Sequence, residues 1–86
     1  MTVALMWEAR AAEGRGADLL AWARAQPLAG DGREPLRREH FTAPQDRVLV
    51  ITWWDADFGA ELPELPEPDP ALIHRPVHRW RFRAVG

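Results

Sequence analysis

The chain has 86 residues, 47% hydrophobic and 28% charged, with a formal net charge of −2 and no cysteine. That is room for one domain, 1–86, without a second core, and the lack of thiols excludes disulfides, thiolate metal sites and cysteine nucleophiles. Lys, Ser, Asn and Tyr are missing as well, which rules out Schiff-base chemistry and serine, lysine or tyrosine nucleophiles and leaves general base work to His40, His74, His78 or a carboxylate.

A domain of this size hides only about 60 to 65% of the surface its unfolded chain exposes, so burial against a partner is expected. The opening residues, MTVALMWEAR, carry no basic segment, and their apolar run stops at Glu8. Neither a secretory signal nor a membrane span is expected, and a cytoplasmic location follows.

In chain order, Thr2 to Glu8 places Val3, Leu5 and Trp7 on one parity and Ala4 and Met6 on the other, the pattern of a strand buried on two sides. Between about Ala12 and Gln26, Gly16, Leu19, Leu20, Ala23 and Pro27 fall at helical spacing, with Asp18 early, Arg24 late and Pro27 as the stop. This predicts an amphipathic helix whose ordered part starts near Gly16. Leu28 to Arg33, with Gly30, Asp31 and Gly32, reads as a loop. PLRREHFT, from Pro35 to Thr42, reads as an extended segment with one wet face. After a turn over Ala43 to Asp46, RVLVITWW carries the strongest strand signal in the chain. So short a turn predicts an antiparallel hairpin.

Asp55 to Pro70 contains Asp55, Asp57, Glu61, Glu64, Glu67 and Asp69, no basic residue, and Pro63, Pro66, Pro68 and Pro70. Repeated proline forbids a long helix, and the stretch is read as an acidic loop running over the surface. Asp69 and Pro70 form an N-cap and first helical position for one turn through Ala71, Leu72 and Ile73. Val77 to Val85 alternates Arg79, Arg81 and Arg83 with His78, Trp80, Phe82 and Ala84, giving a strand with one basic and one apolar face. No internal sequence repeat is evident.

The segments VALMWEARAAEGRGADLLAWARAQ, REHFTAPQDRVLVITWWDADF and RPVHRWRFRAV together resemble the antibiotic-biosynthesis-monooxygenase-like (ABM) proteins of the ferredoxin-like dimeric α+β barrel superfamily. The resemblance covers nearly the whole chain in element order and rests on pattern, with no diagnostic motif. It implies a β-α-β-β-(short α)-β fold with an antiparallel sheet, packed face to face against the sheet of a second copy. It also implies a full second helix, in whose place this chain has the proline-rich stretch from Gly59 to Pro76, so the family's helix–sheet pocket is expected to be shallow or missing. The Asn, Trp, Tyr or His residues that line the cavity in the family's enzymes transfer only in part, since Asn and Tyr are absent here.

Candidate site residues follow from residue type. Trp7, Trp53, Trp54 and Trp80 are the candidates for stacking an apolar or aromatic ligand, with core and interface packing as the competing role; adjacent Trp53 and Trp54 must face opposite sides of a strand. His40 and His78 are the candidate bases, because imidazole titrates near neutral pH. His74 and His78 have metal-pair spacing, but Pro76 interrupts it, so no metal is expected, nor any cofactor. Arg79, Arg81 and Arg83 beside Trp80 are weighed as a nucleic-acid patch, against the negative net charge and the carboxylates able to pair with them.

The expectation is an ABM-like homodimer, the partner being a second copy, that holds a small hydrophobic ligand. The alternatives are a cofactor-free monooxygenase or isomerase acting on an aromatic polyketide-like substrate, and an interaction module offering the acidic loop 55–69 to a basic partner.

Overall fold

A computed structural model describes residues 1–28 and 32–86; the loop reading at Gly30 and Asp31 lies outside the described residues. Strand β1 (Thr2–Arg10) leads to helix α1 (Gly16–Ala25), then to the hairpin of β2 (Arg37–Ala43) and β3 (Arg47–Asp55). A 3-10 turn at Pro70–Leu72 precedes β4 (His78–Arg83). The sheet order is β2-β3-β1-β4, and every neighbouring pair is antiparallel. One helix on a four-stranded antiparallel sheet is an α+β architecture compatible with the ferredoxin-like fold. Among the described residues, no helix is long and apolar enough to cross a membrane.

The ladder registers sort the side chains. Val3, Leu5, Trp7 and Ala9 of β1 sit opposite Trp54, Thr52, Val50 and Val48 of β3, and all eight are buried. This is the covered face. Leu19 and Ala23 of α1 pack onto it at Trp7, Ala9, Val48 and Val50, which accounts for the helical spacing of those residues. The helix ends at Ala25 with Gln26 as its C-cap, just ahead of Pro27, and Arg38 of β2 satisfies carbonyls there, donating to Ala23 O at 2.7 Å and Gln26 O at 3.0 Å. A cation at that end also opposes the helix dipole.

Two chain reversals are clamped together at the helix start. The β2–β3 turn puts Gln45 (φ 67°) and Asp46 (φ 59°) in the left-handed region without a glycine. Hydrogen bonds offset that cost: Gly14 N donates to Asp46 Oδ2 at 3.0 Å, and Ala11 N donates to the Asp46 carbonyl at 2.8 Å. Gly16 makes the close approach feasible, because a Cβ there would lie 2.8 Å from Asp46 Oδ1.

The stretch after β3 corrects the surface-loop reading. Leu62, Pro63, Leu65 and Pro68 are buried, while Glu61, Glu64 and Glu67 are exposed. Leu62 packs with Val3, Leu5 and Trp54, and Leu65 with Trp7 and Val50. ELPELPEP is a short internal repeat that the reading by charge and proline passes over. Its three-residue period matches one turn of a polyproline II helix, which sends every third side chain to one side. Among the described residues, 61–68 form no backbone hydrogen bond, as expected of that conformation. The segment is a strap that covers the part of the sheet α1 does not reach.

The single turn after the strap forms as its sequence predicts, with Asp69 Oδ1 accepting from Ala71 N at 2.8 Å. If the strap is core, Leu65→Ala should lower the unfolding free energy in urea by about 2–4 kcal/mol, a buried-leucine value. Glu61→Gln should change it by less than about 0.5 kcal/mol. Small effects at both positions would return the segment to a surface loop.

Candidate functional site

Among the described residues, no element covers the opposite sheet face. Reading across the ladders, it presents Arg37, Glu39 and Phe41 of β2; Leu49, Ile51 and Trp53 of β3; Ala4, Met6 and Glu8 of β1; and His78, Trp80 and Phe82 of β4. Its centre is apolar, and Phe41, Trp80 and Phe82 remain 43%, 44% and 51% exposed. Four strands about 4.8 Å apart and about six residues long project roughly 400 Å², at the scale of the largest apolar patch a soluble monomer ordinarily shows, roughly 300–600 Å².

Several polar groups on this face are paired within it, while Arg10 and Arg47, opposite each other at its end, make no salt bridge among the described residues. Glu39 accepts from Trp53 Nε1 at 3.0 Å and pairs with Arg37 at 3.1 Å, and the Arg37 guanidinium lies 4.7 Å from the Trp53 ring centroid. At the opposite rim, Glu8 takes a bidentate pair of bonds from Arg75 Nη2 at 2.7 and 2.9 Å, and His78 Nδ1 lies 3.9 Å from the same carboxylate. His78 meets Trp80 edge-on, their centroids 5.5 Å apart.

The structure divides the four candidate tryptophans between the two faces. Trp53 and Trp80 stand on the open face. Trp7 and Trp54 are core on the covered face: Trp7 stacks on Trp22 at 5.9 Å, and Trp54 Nε1 donates to Thr52 Oγ1 at 2.9 Å. No single cavity is therefore lined by all four. Under the strap, where the helix–sheet pocket of the resembled family would lie, the cavity is about 10 Å³, far below the several hundred Å³ of a small-molecule site.

The histidines are separated too. His78 is on the open face, while His40 lies on the covered side of β2, where its Nε2 accepts from Arg38 Nε at 3.3 Å. His74 precedes β4, and its backbone N–H donates to Arg10 O at 2.8 Å. Among the described residues, no three His, Asp or Glu side chains gather as a metal-binding group.

The β4 arginines are turned toward the covered side and hold the chain leading into the strap. Arg81 donates to Phe58 O at 2.6 Å and Ala60 O at 2.7 Å, Arg83 lies over the Phe58 ring at 5.3 Å, and Arg79 approaches Glu64 at 4.0 Å. Sequence reasoning anticipated pairing with carboxylates, yet two of the three partners are backbone carbonyls and a ring. It also missed Arg38, whose role depends on a long-range contact that no local pattern encodes.

Burial, and then the Arg38 and Arg24 charges, hold the His40 imidazole below its ordinary value. Its neutral form therefore belongs to the folded state. Its contribution to stability is intact above about pH 6.5, the unfolded value, and is lost as pH falls from there toward the folded value, because the unfolded chain binds the proton first. An NMR titration should show the His40 midpoint below 6.5, and His40→Gln should flatten the loss of stability over that window. A midpoint at or above 6.5 would contradict the assignment. No family model, no curated protein and no solved structure matches this chain.

Proposed function

We propose that the protein works as an ABM-like homodimer, a dimeric α+β barrel in which two copies pack open face to open face and hold a small apolar or aromatic ligand at Trp53 and Trp80. The observation that carries the reading is the contrast between the faces. One is filled by α1 and the strap; the other leaves Phe41, Trp80 and Phe82 in water.

A second copy is the occupant that fits best. Each rim carries both signs, Arg37 with Glu39 and Arg75 with Glu8, so the face meets its own image without a net like-charge clash. Side-chain relief from the aromatic residues raises the projected area toward the roughly 800 Å² per partner of a specific interface.

A binding role draws more support than catalysis. His40, one of the two candidate bases, is engaged by Arg38 on the far side of the sheet from Trp53 and Trp80. The interaction-module alternative has one observation in its favour: Glu61, Glu64 and Glu67 all point outward from the strap.

Equilibrium sedimentation should give twice the chain mass. Ile51→Glu places a carboxylate in the middle of the face and should weaken the dimer by at least about a hundredfold, roughly 3 kcal/mol, with the circular dichroism unchanged. 2-Naphthol, used as a flat aromatic probe, should quench tryptophan fluorescence in the dimer and not in the Ile51→Glu monomer. A folded single chain at high concentration would contradict the dimer, and equal quenching of both species would contradict the ligand site.

A further inference from the structure

We infer a buried water site between the strap and the sheet, on the face opposite the proposed dimer contact and independent of it. Trp7 Nε1 is wholly buried and has no hydrogen-bond partner among the described residues, in a residue only 3% exposed. An indole N–H can only donate, and leaving it unpaired in a dry interior is unfavourable.

Thr52 is also 3% exposed. Its oxygen accepts from Trp54 Nε1 at 2.9 Å, so its own hydroxyl proton remains to be donated. Both residues line the cavity of about 10 Å³, with Leu5, Met6, Val50, Glu64, Leu65 and Arg79 around them. That volume takes the centre of a single water and excludes any organic molecule, and voids that stay dry are lined by apolar groups alone. Here the lining residues include a tryptophan, a threonine, a glutamate and an arginine. A water supplies lone pairs for Trp7 and Thr52, and it has protons to give to Glu64 or to a backbone carbonyl.

The site has a cover that is able to open. Glu64 and Leu65 belong to the strap, which among the described residues has no backbone hydrogen bonds of its own, the condition under which a segment opens locally before the core does. Arg79 and Glu64 both line the cavity and approach each other at 4.0 Å. Escape of the water is therefore gated by the strap, and its residence time reports strap opening.

Water–protein NMR on the intact protein tests this at the Trp7 indole proton. A held water gives cross-peaks of opposite sign in the laboratory-frame and rotating-frame Overhauser experiments. Absence of a water cross-peak at an assigned Trp7 Nε1–H, or same-sign peaks from proton exchange, would overturn the site. Arg79→Gln should leave the fold intact and shorten the residence time by up to about fivefold, the range an exposed ion pair spans. An unchanged residence time would overturn the gating by the strap.

Discussion

Both faces of β1 and β3 are apolar, and such a strand pair leaves water only when it is covered twice. Val3, Leu5 and Trp7 look one way from β1, and Ala4 and Met6 the other; β3 divides Val50 and Trp54 from Ile51 and Trp53 in the same manner. One short helix cannot cover even one side of a four-stranded sheet. The remaining features of the fold are responses to that shortage.

On the covered side the response is the strap. A segment without regular helix, running extended, rises about 3.3 Å per residue, roughly twice the rise of a helix, so few residues span the sheet. Proline also limits what the unfolded chain loses on ordering. Because the strap's backbone bonds to nothing among the described residues, the anchoring falls to its leucines and to Arg81, which donates to two carbonyls at its entry. The basic face of β4 thereby serves inside the chain as a clamp. Arg38 plays the matching part at the other edge, where it ties β2 to the end of α1.

Much of this was legible in the sequence where the signal is local. The alternation in RVLVITWW gave β3 to within a residue, Asp69 and Pro70 marked the single turn, and the opposite facing of Trp53 and Trp54 followed from strand geometry. Parity could not say which tryptophan of that pair is core, since this depends on where the helix lands. The strap was misread because proline and acid usually mean surface; its three-residue spacing of Leu62, Leu65 and Pro68 was present throughout and answers to neither the strand nor the helix period. The division of the candidate tryptophans between two faces, and the engagement of His40 by Arg38, arise from tertiary contacts that no spacing rule reaches.

The claim on which the account turns is that the uncovered face is closed by a second copy. Isotope-filtered Overhauser spectra on a mixture of labelled and unlabelled protein test it most directly, because they register only contacts between copies. The account predicts contacts from the Trp53 and Trp80 indoles to Phe41, Ile51 and Phe82 of the other copy. Their absence, with both indoles freely accessible to a soluble quencher at concentrations where the protein is folded, would contradict it.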